Sequence, residues 1–169
     1  NNGGSSVGMS KVHNIAALPP ALERAFHKDS QVLVEEFIKG REFSIGVVRL
    51  NGRLTVLPAT EIISSKEFFD YEAKYTPGIS SEITPADIPA EKNEEIAAIV
   101  KEVYLRLNCK GMVRIDFILQ EDTNHFYFIE VNTTPGQSAN SLIPQQVRAA
   151  GMDVGEFYAA LIEGASMGL

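Results

Sequence analysis

The sequence predicts an α+β fold, an antiparallel sheet backed by helices, and three observations carry that reading. Two pairs of strand-like segments are each joined by a short polar turn, and a long segment between the pairs repeats its apolar residues at helical spacing. Strands that follow one another through tight turns need no crossover helix, so the helices are left to cover the sheet.

Residues 1–10 read NNGGSSVGMS, which by composition alone is a flexible linker. Pro19 and Pro20, followed by Leu22, Ala25 and Phe26, predict a helix, because proline is tolerated in a first helical turn. QVLVEE at 31–36 is short and β-branched enough to predict a strand. Residues 41–50 and 53–62 flank Asn51-Gly52, the dipeptide that best supplies the two positive φ angles of a type I′ turn, and predict a hairpin. Residues 64–88 hold no sustained period and contain Pro77, Gly78 and Pro85. A loop of about that length inside a domain is usually functional or disordered.

From 93 to 107, Ile96, Ile99, Val100, Val103 and Leu107 recur at three and four, with Glu94 and Glu95 in the first turn and Gly111 beyond the end, which predicts an amphipathic helix. Strands at 112–119 and 125–131 follow, joined by polar residues 120–124, and helices at 144–150 and 154–167 close the chain. The sheet is thus expected to lean on the 93–107 helix and the terminal helix.

Fifteen lysines and arginines stand against 22 aspartates and glutamates in 169 residues, a net charge of −7. That balance gives no broad cationic surface, so it argues against nucleic-acid and membrane-surface partners. The hydrophobic fraction of 44% excludes a disordered or collagenous chain. The single cysteine, Cys109, cannot form an internal disulfide, which fits a reducing, cytoplasmic compartment. There is no apolar run long enough to span a bilayer, and the opening on Asn1 suggests a piece of something longer.

The second hairpin concentrates the chemistry. With its loop centred near Thr123, residues whose numbers add to about 246 face one another, so Asp116 lies opposite Glu130 and Arg114 opposite Asn132, all on one face. Val113, Ile115, Phe117 and Leu119, against Tyr127, Ile129 and Val131, form the other, core-facing side. Two carboxylates across a ladder repel unless a cation or a shared proton intervenes. Asp, Glu and Asn offer only oxygen ligands, the hard set that suits Mg2+ with substrate phosphates, and Arg114 can stabilise developing negative charge. The bland alternative is a surface salt-bridge square. The scattered His13, His27 and His125 have no zinc spacing and no nucleophile elbow is present, so hydrolase and zinc chemistry lack an anchor.

Six blocks in order, GSSVGMSKV (4–12), VEEFI (34–38), GREF (40–43), YEAKY (71–75), GMVRID (111–116) and EVNTTPG (130–136), closely resemble the D-alanine:D-alanine ligases, members of the ATP-grasp fold. The resemblance implies that residues 1–35 are the remainder of an incomplete central ATP-grasp subdomain and 36–169 the C-terminal catalytic subdomain, with an active-site loop at 64–88. It implies that Ser5 and Ser6 lie in a phosphate-covering loop, which sets the linker reading aside. Glu35 would accept from the adenine amino group, Glu36, Phe37 and Ile38 would form the adenine slot, and Glu42 would bind the ribose. Lys74 would reach the ATP phosphates, and Tyr75 would join Ser5 in closing over substrate. Asp116, Glu130 and Asn132 would hold two Mg2+ ions, with Mn2+ as a substitute, Arg114 would stabilise the tetrahedral intermediate, and Gly136 would add an oxyanion amide. Ser141 and Leu142 would receive the carboxylate of the second D-alanine.

The implied reaction phosphorylates one D-alanine with ATP, and the amine of a second attacks the acyl phosphate to give D-alanyl-D-alanine for peptidoglycan synthesis. Glu72-Ala73-Lys74-Tyr75 resembles the dipeptide-forming ligases rather than the depsipeptide-forming ones. The chain departs from the family in beginning after the N-terminal substrate domain and two nucleotide lysines, so the piece alone is expected not to turn over. A full-length parent is expected to be a homodimer, with ATP and D-alanine as its small-molecule partners. Another ATP-grasp carboxylate-amine ligase, or a Mg-nucleotide-binding module without catalysis, are the competing readings.

Overall fold

Asn51 and Gly52 adopt φ angles of 48° and 75°, the pair of left-handed conformations that a type I′ turn requires, and the chain folds back on itself there. The computed structural model describes residues 6–64 and 80–166. They fall into two compact units, one of residues 6–38 with 63–64 and 80–81, the other of 39–62 with 82–166.

In the first unit Asn14 Oδ1 accepts from the Ala17 backbone N–H at 3.1 Å and caps a 3-10 turn, Ile15–Ala17, that leads into α1, Leu18–Phe26. Pro19 and Pro20 occupy the first turn of α1, as expected, and Ala21 is its buried residue. No strand forms over 31–39 among the described residues, which corrects the strand expected at 31–36. A strand must fill its N–H and C=O groups from a neighbour, and β-branched composition alone supplies none. Leu33 and Val34 accordingly stand 67% and 68% exposed.

The second unit is built on β1, Gly40–Leu50, which pairs antiparallel with three strands: β2, Arg53–Val56, β3, Thr60–Ser64, and β5, Met112–Gln120. With β4, Ser80–Ile83, and β6, Phe126–Asn132, the sheet order is β4-β3-β1-β5-β6, β2 extending the β1 pairing. The single strand expected at 53–62 is split, because Pro58 has no N–H to give the ladder. The register passes from Val47↔Val56 to Ser44↔Thr60, accommodating one extra residue as a bulge does. The expected loop at 64–88 contains β4, whose Ser-Ser-Glu-Ile sequence is too short and polar to show a period.

Alternation along β1 and β5 builds two cores. Phe43, Ile45 and Val47 with Val113, Ile115, Phe117 and Leu119 pack against Ile96, Val100 and Tyr104 of α2, Ala90–Arg106. This helix starts three residues before the start expected at 93, and fully buried Tyr104, not exposed Leu107, ends its core face. On the opposite face, Val48 and Leu57 meet Ile143 and Val147 of α3, Leu142–Ala149, and Phe157 of α4, Val154–Ser166. The two helices expected to back the sheet therefore cover opposite faces.

Gly46 lies where α3 meets β1: a Cβ there would meet Gln146 Oε1 and Ile143 Cδ1 at 2.7 Å and Leu57 Cδ1 at 2.8 Å. Gly46→Ala is therefore expected to destabilise the fold by about 1–3 kcal/mol through overpacking, read as a lower urea midpoint. An unchanged midpoint would mean that α3 is free to shift.

Candidate active site

The polar face comes from alternate residues of three strands. The ladder sets Arg114 opposite Asn132, Asp116 opposite Glu130 and Ser44 opposite Asp116, so the register expected of the second hairpin holds at its functional end. A bulge between Asp116 and Phe117 then changes the partners. Phe117 pairs with Phe128 and Leu119 with Phe126, which corrects the expected packing of Tyr127 and Ile129 on the core face. Phe126 turns inward, edge-on to Phe43 and Phe117 at 6.3 Å, while Tyr127 and Ile129 remain exposed.

Arg114 grips Asp116 with two parallel bonds, Nε to Oδ1 at 3.0 Å and Nη2 to Oδ2 at 2.8 Å. Burial pulls the Arg114 pKa down, but the hydrogen bond to Asp116 and the charges of Asp116, Glu130 and Glu42 outweigh it and leave the value raised. The guanidinium therefore stays charged throughout the working pH range. Ser44 donates its hydroxyl to Asp116 Oδ1 at 2.5 Å. Among the described residues the hydrogen-bond partners of this carboxylate are all donors.

A carboxylate presents roughly four lone-pair sites. Ser44 and Arg114 Nε occupy Oδ1 and Arg114 Nη2 occupies one side of Oδ2. Among the described residues, one direction on Oδ2 therefore remains for a cation. Glu130 is exposed, and Asn132 Oδ1 accepts from the Thr134 N–H at 3.0 Å with a second lone pair to spare. Among the described residues no group of three or more His, Cys, Asp and Glu side chains is placed to hold a metal. The donor set that fits is two carboxylates and one amide oxygen, which suits a hard cation whose remaining ligands are water and phosphate.

Beyond Asn132 the chain forms a fastened turn. Gln137 Nε2 donates to Pro135 O at 2.9 Å while Gln137 Oε1 accepts from Tyr158 of α4 at 2.7 Å, and Arg148 holds Ala139 O at 2.7 Å. A Cβ on Gly136 would meet Ser141 Oγ at 2.9 Å, so the backbone passes close to that serine. Ser141 precedes α3 and Leu142 is its first residue. Gly136, Ser141 and Leu142 thus belong to the same unit as Arg114, Asp116, Glu130, Asn132 and Glu42.

The other expected nucleotide residues fall in the first unit. Ser6 takes φ 56° at the start of a turn whose Gly8 lies at φ 83°, and Lys11 Nζ sits 3.7 Å from the Phe37 ring centroid. Glu35, Glu36 and Phe37 are exposed and Ile38 half-buried. Ser5, Lys74 and Tyr75 lie outside the described residues.

Sequence reading missed Ser44 and Gln146. Gln146 is fully buried, its amide donating to Ser44 O at 2.8 Å and Thr60 Oγ1 at 3.0 Å and its carbonyl accepting from Gly46 N–H at 2.8 Å. The available signals were the Glu42, Ser44, Gly46 alternation and a glutamine on the Ile143, Val147 face of a helix. Cys109 is half-buried, and burial raises its thiol pKa, away from nucleophile chemistry. A cleft of about 300 Å³ beside Arg41 and Lys92 has both cations already paired, to Glu61 and Glu95.

The family model described as D-ala D-ala ligase C-terminus matches residues 1–163. A curated D-alanine–D-alanine ligase of Phocaeicola vulgatus is 44% identical over 163 residues, 96% of this chain and 50% of its own length. Among solved structures, the VanG D-Ala:D-Ser ligase of Enterococcus faecalis superposes with a TM-score of 0.84 at 36% identity, over 95% of this chain and 46% of that one. The D-alanine–D-alanine ligase of Bacillus anthracis complexed with ATP gives 0.76 at 31% identity, over 92% and 49%. The chain spans about half the length of the curated relatives it matches.

Proposed function

From the premise that this chain belongs to the family of D-Ala-D-Ala ligase C-termini, we propose that it supplies the nucleotide and metal side of an ATP-dependent ligase that joins two D-alanines. The observation that carries this reading is Asp116 set opposite Glu130 with Arg114 forked onto Asp116, beside Asn132. Residues 1–35 would be part of a central ATP-grasp subdomain and 36–169 the C-terminal one.

Asp116, Glu130 and Asn132 would hold two Mg2+ ions, whose charge would neutralise the phosphates of ATP. Arg114 would keep a fixed positive charge beside the reacting carboxylate, first as it attacks phosphorus and then as the second amine adds to the acyl phosphate and negative charge grows on oxygen. The Gly136 N–H would donate to that oxygen. Ser141 and Leu142, at the start of α3, would hold the carboxylate of the second D-alanine, so that its amine approaches in one orientation. Glu35 to Ile38 would take the adenine, Glu42 the ribose, and Ser5, Ser6, Lys74 and Tyr75 the phosphates and closure over substrate. Catalysis of this kind is positioning and charge neutralisation.

Turnover is expected of a full-length protein that also carries the half of the relatives that this chain does not match, and not of these 169 residues alone. No helix among the described residues is long and apolar enough to cross a membrane. A cytoplasmic homodimer is the proposed setting.

Calorimetry of ADP binding with and without Mg2+, repeated on Asp116→Ala/Glu130→Ala, tests the site. Metal-dependent binding that the double variant loses is the expected result; metal-dependent binding that survives the substitutions would sink the assignment.

A further inference from the structure

The geometry points to Ser44 as a positioning residue that sets which lone pair of Asp116 faces the cation, an inference that rests on the metal-site reading above. Ser44 is 2% exposed and Asp116 8% exposed, so the bond between them is largely shielded from water. Arg114 alone, forked across both oxygens, leaves one lone pair open on each, two nearly equivalent ways to meet a metal. The Ser44 hydroxyl fills the one on Oδ1 and breaks that equivalence. Among the described residues only Oδ2 then remains, and the carboxylate is held from two strands.

Ser44 is itself fixed from behind. Its carbonyl accepts from Gln146 Nε2, and the Gly46 N–H two residues along the same strand donates to Gln146 Oε1, so α3 clamps this stretch of β1. The clamp needs the missing side chain at Gly46, whose Cβ would collide with Gln146. A chain of contacts thus runs from α3 through β1 to the carboxylate on β5. An ordinary buried hydrogen bond would contribute stability alone; this one ends on the acid that faces Glu130 across the ladder.

The experiment measures Mn2+ affinity by electron paramagnetic resonance in the presence of ADP, on the full-length protein, with a thermal melt on each variant. Ser44→Ala is expected to weaken Mn2+ binding by roughly ten- to a hundredfold, the usual effect of losing a group that orients a ligand. Ser44→Thr, which keeps the hydroxyl on a β-branched side chain suited to a strand, is expected to restore it. Should Ser44→Ala fail to fold, Ser44→Cys, a weak donor of similar size, is expected to show the same loss in a folded protein. Unchanged affinity in Ser44→Ala or Ser44→Cys, with loss in Asp116→Asn, overturns the positioning role and leaves the metal site standing. Unchanged affinity in Asp116→Asn as well overturns the metal site itself. A folded Ser44→Thr that binds as poorly as Ser44→Ala also overturns the inference, because the hydroxyl would then not be the operative group.

Discussion

Arg114→Met is expected to lower the turnover of the full-length protein by about 10²- to 10³-fold, the effect of removing a fixed donor aimed at developing negative charge. Methionine keeps most of the length of the arginine stem and loses the charge and the fork. Asp116 then keeps one of its three donors, Ser44, while still facing Glu130 across the ladder, with Glu42 on the same face. Leaving a largely buried carboxylate without its cation costs about 3 kcal/mol or more. Added Mg2+ is expected to recover part of that stability, since the ion can balance the charge that arginine balanced, so the melting temperature of the variant should rise with Mg2+ more steeply than that of the parent. Arg114→Lys should fall between the two, because an ammonium cannot reproduce two parallel bonds. Single-turnover phosphate release and melts at several Mg2+ concentrations decide it: a methionine variant with parental turnover would remove Arg114 from the reaction. The raised pKa of Arg114 keeps its contribution in place at every pH below the ordinary arginine value, so an alkaline loss of activity must come from another group.

Two kinds of signal made part of this site legible in the sequence. Asn51-Gly52 specifies its turn by local backbone preference, and the two φ angles follow. Asp116 and Glu130 are placed by counting back from a polar turn through strands of period two, which succeeds because the sum of 246 assumed for facing residues is the one the ladder reaches once the bulge between Asp116 and Phe117 has added a residue. On the turn side of the bulge the same counting is one residue out, and Tyr127 and Ile129 are assigned to a core that Phe126 reaches instead. The strand expected at 31–36 fails for a different reason: its residues favour extended backbone, but pairing depends on a neighbour that sequence cannot supply. Ser44 and Gln146 stayed hidden because their roles are non-local, joining residues 72 and 102 positions apart in the chain. Serine in a strand and glutamine in a helix are both ordinary until the packing that surrounds them is known. The family resemblance filled a different gap, giving roles to residues whose geometry lies in separate units.

Gln146→Met is the second large effect, and it separates packing from polar fastening. Methionine is close to glutamine in length and shape and fills the space between β1 and α3, so little of the expected loss is a cavity. What disappears is the partner of the Gly46 N–H and of the Ser44 carbonyl, while the Thr60 hydroxyl keeps Thr84 at 2.6 Å. Two buried backbone groups left unsatisfied at about 1–3 kcal/mol each give an expected loss of roughly 2–6 kcal/mol, read from urea unfolding with an unchanged slope. Gly46→Ala acts on the same contact by pushing Gln146 aside, so the double variant should be less destabilised than the sum of the two single changes, because the contact can be lost only once. Additive losses would show that the amide is not the shared element. The direction of the kinetic effect follows from where α3 begins. If α3 is fastened to β1 by this amide, its loosening reaches Ser141 and Leu142 at the helix start before it reaches the far side of the sheet. The Michaelis constant for the second D-alanine should therefore rise in Gln146→Met more than that for ATP. Equal changes in both constants would assign Gln146 to stability alone.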